Sequence, residues 1–122
     1  MSSKEWNRAK GANSERLGET YLEEQGYQIL ERNVRSPFGE IDLVCRHRST
    51  LVFVEVKSRT GETFGFPEEA VDRRKRERLG RLAAWYLARY AAKLPEVRFD
   101  VLAIQSEGDH SGVRLIQNAF EV

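Results

Sequence analysis

The chain has 122 residues, 40% hydrophobic and 32% charged, with a net charge of +1, which fits one soluble domain spanning residues 1–122 rather than a disordered chain. No apolar run approaches the roughly 20 residues of a membrane helix, and Met1 to Lys10 lacks the apolar segment of a secretory signal. Cys45, the sole cysteine, excludes an internal disulfide or a Cys-rich zinc site, so a cytoplasmic protein without a membrane partner is expected.

Glu5 to Gln25 reads as a first helix, closed by Gly26 at a position suited to left-handed backbone. At about 100° per residue, Leu17, Gly18, Tyr21, Leu22 and Gln25 share one side and should face a sheet. Glu15 falls at the border of that stripe, and Glu19 points further toward solvent. Glu15 is therefore the acid placed to lean over a site. Gly18 costs a helix roughly 1 kcal/mol against Ala, which close helix–sheet approach would offset.

Tyr27 to Val34 reads as a strand, and Ser36-Pro37-Phe38-Gly39 as a turn in which Pro presets φ and Gly suits the fourth position. Glu40 to Arg46 alternates, with Ile41, Leu43 and Cys45 on one face and Glu40, Asp42 and Val44 on the other. After a turn at His47 to Ser49, Leu51 to Ser58 is rich in β-branched and aromatic residues. There Val52, Val54 and Val56 line one face, and Leu51, Phe53, Glu55 and Lys57 the other. Arg59 to Phe66 is a loop. Pro67 then opens a second helix, with Val71, Leu79, Leu82, Ala83, Tyr86, Leu87 and Tyr90 as its apolar stripe. Val97 to Ile104 is a further strand and Val113 to Gln117 an edge strand. The order is helix, three strands, helix, two strands.

Overall charge gives no nucleic-acid signature, but its distribution does. Arg73, Arg74, Lys75, Arg76, Arg78 and Arg81 fall within residues 73–81 beside a single acid, Glu77. Such a patch can neutralise phosphates on a chain that is near neutral as a whole. A merely solvated helix face is the plainer alternative.

Hydrolysis of a phosphodiester needs a divalent cation to neutralise phosphate charge and activate water, hard oxygen ligands to hold it, and a nearby cation for the developing charge. The two central strands supply these groups. Glu55 and Lys57 share a strand face, and a hairpin through His47 to Ser49 brings Asp42 near Glu55. From the residues alone two readings stand: a metal-dependent site, and a structural ion pair with slightly the better claim. Against the ion pair, the strand is apolar on both faces, as covered strands are, and ionised groups there need a partner or a task. Glu40 reads as a turn-end acid or, sharing a face with Asp42, as a metal ligand directly or through water; Arg98 and Asp100 read as a structural ion pair, and Trp85, Tyr86 and Tyr90 as core aromatics.

Gly39-Glu40-Ile41-Asp42-Leu43-Val44 followed by Val52-Phe53-Val54-Glu55-Val56-Lys57 resembles the PD-(D/E)XK nuclease pattern. Asp42 stands as its aspartate and Glu55-Val56-Lys57 as its E-x-K element. More narrowly, the chain resembles the small bacterial YraN-type proteins. That pattern continues through Tyr27 to Asn33, Phe64-Gly65, Glu69-Ala70-Val71, Lys75 and Arg98-Phe99-Asp100-Val101.

The resemblance implies an α/β fold with a restriction-endonuclease-like core. A central mixed β-sheet would be flanked by helices in α-β-β-β-α-β order, related to archaeal Holliday-junction resolvases and type II restriction enzymes. It makes Asp42 and Glu55 ligands of Mg2+ or Mn2+ and has Lys57 orient or activate the water. Glu15 would complete the catalytic and metal set, although this chain has Ser14-Glu15 where those proteins carry Gly-Glu; Glu19 is the lesser candidate. Lys75 becomes the better supported nucleic-acid contact, with Arg73 and Arg76 added by proximity. The implied function is a metal-dependent endonuclease acting on DNA, branched or structured DNA included. The alternative is a non-cleaving nucleic-acid-binding or accessory protein. Related resolvases commonly form two-fold dimers, which makes a homodimer an expectation.

Overall fold

The computed structural model describes residues 7–10, 14–60, 72–89, 96–107 and 110–121. Its elements are β1 (Asn7–Lys10), α1 (Ser14–Glu24), β2 (Tyr27–Ser36), β3 (Gly39–His47), β4 (Thr50–Thr60), α2 (Arg73–Leu87), β5 (Glu96–Glu107) and β6 (His110–Ile116). The strands form one six-stranded sheet in the order β1-β6-β5-β4-β3-β2. The β4–β5 pair is parallel and the other pairs are antiparallel, so the sheet is mixed. A parallel pair needs a crossover, and α2 lies within it. The fold class is α/β, with α1 and α2 against a mixed sheet among the described residues.

The sheet is covered on both faces. Leu22 and Tyr27 pack with Leu43, Cys45, Val52, Val54, Leu102 and Ile104 on the α1 side. On the α2 side, Leu79, Leu82 and Tyr86 pack with Phe53, Phe99 and Val101. Coverage on both sides explains why β4 is an almost unbroken apolar run. Gly18 does allow the expected close approach: a Cβ there would lie 2.9 Å from Ile104 Cδ1 and 3.0 Å from Leu102 Cδ2. Gly26 takes φ +91 just past α1. Gln25, expected to face the sheet, is exposed.

Both helix starts differ from expectation. Residues 7–10, expected within the first helix, form β1 and pair with β6 from Asn7↔Val113 to Lys10↔His110. A partner a hundred residues away leaves no local periodicity to read. β6 is consequently interior, and β1 takes the edge. The second helix was expected from Pro67. Instead Asp72 is extended (φ −80, ψ 178) and its carboxylate accepts the Lys75 N–H, so α2 begins at Arg73. Asp is among the strongest N-caps, because its oxygen satisfies an amide that the helix leaves unpaired. Pro67, Phe64, Glu69, Val71 and Tyr90 lie outside the described residues. No helix among the described residues is long and apolar enough to cross a membrane.

Candidate functional site

The site is built where the two central hairpins part. β2 and β3 are joined by the Ser36–Gly39 turn, in which the Ser36 hydroxyl accepts the Phe38 N–H at 3.0 Å. Strict alternation would put Ile41 and Leu43 on one face. In the structure Leu43 packs beneath α1, whereas Ile41, with its partner Val34, packs beneath α2. The cause lies across the hairpin, where Asn33 adopts φ 51 between Arg32 and Val34 and rolls the ribbon over at that level. Asp42 stands at the roll and does not simply share a face with Val44. β3–β4 pairing ends at Leu43↔Val54, and beyond it the half-buried Asp42 carboxylate accepts the Val56 N–H at 2.7 Å. This bond anchors Asp42 to the amide midway between Glu55 and Lys57.

Glu55 lies on β4, on the α2 face, and is 8% exposed. Its Oε1 accepts from Lys75 Nζ at 3.0 Å and stands 3.7 Å from Lys57 Nζ. Burial raises the Glu55 pKa, and the nearby Asp42 charge raises it further, while Lys75 and Lys57 work against both. Burial lowers the Lys57 pKa, helped by the Lys75 ammonium and opposed by Glu55 and Asp42. Glu55 and Lys57 thus each feel Asp42, Lys75 and one another.

On the α1 side a cavity of about 320 Å³ opens beside Asp42, lined also by Gly18, Glu19, Arg32, Asn33 and Ser58. Glu19, expected further toward solvent, bonds Arg32 through Nε and Nη2 at 2.6 to 3.0 Å and so lines this cavity. Glu15 belongs to α1, but its side chain lies outside the described residues. Glu40 is a surface acid 3.6 Å from Arg35.

The three basic residues singled out on the second helix do not act as one group. Lys75 turns inward to Glu55. Arg73 is exposed and pairs with Glu77 at 3.3 Å. Arg76 lies over the Phe120 ring, 5.9 Å from its centroid. Arg73 and Arg76 do share a groove of about 760 Å³ with Gly80, Arg81 and Glu121. The Lys75–Glu55 contact was not foreseen, although the cap Asp72, three residues earlier, gives away which turn of the helix Lys75 occupies.

A second buried cluster is structural. Asp100, fully buried, accepts two bonds from Arg98 at 2.9 Å, one from the Tyr27 hydroxyl at 2.6 Å and one from the Asn118 N–H at 2.9 Å. The Tyr27 oxygen in turn accepts from Arg98 and Gln117, and its ring stacks on His47. Arg98 and Asp100 thus form the expected ion pair, enlarged by Tyr27, His47 and Gln117.

The family model described as "Uncharacterised protein family UPF0102" matches residues 14–104. A UPF0102 protein of Symbiobacterium thermophilum is 46% identical over 115 residues, covering 93% of this chain and 98% of its own. One from Moorella thermoacetica is 44% identical over 115 residues, with 93% and 96% covered. Another, from Syntrophotalea carbinolica, is 46% identical over 102 residues, with 84% and 83% covered. The chain belongs to the UPF0102 family. The UPF0102 match contains Asp42, Glu55, Lys57 and Lys75, and leaves out β1 and β6.

Among the described residues, no three His, Cys, Asp or Glu side chains gather into a ready-made metal cluster in this UPF0102 chain. Magnesium does not need one, since it takes one or two carboxylates and fills its remaining positions with water and substrate oxygens. Asp42 and Glu55 supply hard oxygen donors only, which suits Mg2+ or Mn2+ and is a poor match for softer, thiolate-seeking ions.

Proposed function

We propose that this UPF0102 chain is a PD-(D/E)XK-type nuclease with a restriction-endonuclease-like core: a Mg2+- or Mn2+-dependent endonuclease that hydrolyses phosphodiester bonds in DNA, branched or structured DNA included. The observation that carries this reading is Asp42 anchored on the Val56 N–H, between Glu55 and Lys57 on the neighbouring strand. A sheet flanked by helices on both faces and the YraN-type sequence pattern support it.

A divalent cation, when bound, supplies charge neutralisation on the phosphate and makes the attacking water more acidic. Asp42 and Glu55 would hold it, with Glu15 of α1 as the third acid. The bond to Val56 fixes the direction of the Asp42 carboxylate, so that group need not be ordered when the site fills. Burial makes Lys57 hold its proton less firmly than an ordinary lysine, which suits it to orient the attacking water and to share a proton with it. The groove of Arg73, Arg76 and Arg81, which Glu77 and Glu121 also line, would take the nucleic-acid backbone through its arginines, as exposed cations do without regard to sequence.

The test is a cleavage panel of plasmid, flap and four-way-junction DNA, with and without Mg2+ or Mn2+. Metal-dependent cutting is expected, lost in Asp42→Asn and Lys57→Ala. The reading fails if nothing is cut or if the variants cut as well as the parent.

A second reading, a non-cleaving nucleic-acid-binding module, draws on Lys75, which already neutralises Glu55. Salt-dependent DNA binding that survives Asp42→Asn, without cleavage in any condition, would favour it.

A further inference from the structure

Lys75 joins the candidate site from a different element than the residues it meets. The Asp72 cap fixes its backbone at the start of α2. Its side chain runs down to the sheet and places Nζ 3.0 Å from Glu55 Oε1. Side-chain exposure is 18% for Lys75 and 11% for Glu55, so the pair is largely shielded from water. Lys57 stands further from the same oxygen, at 3.7 Å, and shares a strand with Glu55. Lys75 is therefore the nearer cation, and the one on a long stem from an independent helix.

A divalent cation on Glu55 Oε1 and an ammonium 3 Å from that oxygen would repel each other across a poorly hydrated gap. We propose that Lys75 is the resident counter-cation of the metal site, seated on Glu55 in the metal-free protein and displaced from it when a divalent cation binds. The inference rests on the nuclease reading of Asp42 and Glu55.

The experiment is a Mn2+ titration of the full chain followed by the electron paramagnetic resonance signal of free Mn2+. Thermal melts in EDTA and in Mn2+ run alongside. Lys75→Met keeps the apolar stem and removes the ammonium. It should bind Mn2+ about tenfold more tightly than the parent, about 1.4 kcal/mol, while melting at a lower temperature in EDTA. Arg74→Met removes a neighbouring charge of the same sign and sets the baseline for a general field effect. Lys75→Arg keeps a cation on Glu55 with a fork that is harder to move, and should bind Mn2+ more weakly than the parent. It answers the question even if Lys75→Met does not fold. Glu55→Gln should lose the binding.

Equal affinity in the parent and Lys75→Met, weaker binding in Lys75→Met, or an equal gain in Arg74→Met would each overturn the displacement while leaving the metal site standing. Absence of Mn2+ binding in the parent and in Lys75→Met would overturn the site itself.

Discussion

Asp42 has two duties that substitution can separate. One is structural: its carboxylate accepts the Val56 N–H at 2.7 Å, where β3–β4 pairing has ended. Hydrogen bonds to a charged acceptor contribute about 1.5–3 kcal/mol, and an amide left without an acceptor costs a similar amount. Asp42→Ala should therefore lose about 2 kcal/mol. Asp42→Asn keeps an oxygen in place and forfeits only the charge assistance, about 1 kcal/mol. Working the other way, the Asp42 charge is one of the two effects that raise the Glu55 pKa, so neutralising it relieves repulsion and offsets part of that loss. Asp42→Asn should remain within about 1 kcal/mol of the parent. Urea denaturation at pH 7, free of divalent ions, measures both values, and an unchanged m confirms that the comparison is of stability alone. The second duty is the proposed metal site. Mn2+ at a hundred times its Kd should add about 2.7 kcal/mol to the parent and nothing to either variant. Equal losses for Asn and Ala would refute the hydrogen-bond account. Mn2+ stabilisation that persists in Asp42→Asn would remove Asp42 from the metal site.

Tyr27→Phe takes one of the bonds from the buried Asp100 carboxylate and an acceptor from Arg98 and Gln117; it should cost about 2 kcal/mol and roughly 8 °C in Tm, and a melt unchanged within 2 °C would contradict this. Burial and Asp100 raise the Tyr27 pKa, so above about pH 10 the unfolded tyrosine ionises while the folded one does not. The parent should thus lose stability in that range, and Tyr27→Phe should lose less. Burial first, then Arg98 and Arg48, lower the His47 pKa. Below about pH 6.5 the unfolded chain therefore takes up a proton that the folded chain refuses, and stability falls with falling pH. His47→Phe, which keeps the stack on Tyr27, should flatten that slope in a pH series of urea midpoints, and an unaltered slope would exclude His47 as its source. Gly18→Ala gains about 1 kcal/mol of helix propensity but meets Ile104 Cδ1 at 2.9 Å, an overlap of about 1–3 kcal/mol in a packed core. A net loss is expected, smaller when Ile104→Val removes that carbon, and a Gly18→Ala protein more stable than its parent would show that the contact yields freely.

Features set by neighbours in sequence were legible before the structure. Glu55 and Lys57 share a strand face because side-chain direction alternates along β4, and the Ser36–Gly39 turn follows from Pro and Gly chemistry. The close passage of α1 was readable from a glycine that a helix would otherwise avoid. Features set by distant partners were not legible. Asn7–Lys10 is a strand only because β6 offers it a ladder. The position of Asp42 depends on Asn33 turning left-handed across the hairpin, and alternation counted along β3 alone cannot register that. The resemblance singles out Lys75 among the six basic residues, but its turn inward to Glu55 depends on where α2 lies over the sheet.

β2 closes the sheet on the side away from β1, and an open strand edge invites another chain to add to it. This edge is poorly suited to that. The extra residue between Ile29 and Glu31 shifts its register, and the left-handed turn at Asn33 breaks its line a few residues further on. Arg32 and Arg35 stand exposed on either side of that break. A chain laid along β2 would lose its pairing after two or three residues. The same left-handed residue that stands across from Asp42 thus also interrupts the ladder that β2 offers at this border of the sheet, as seen among the described residues.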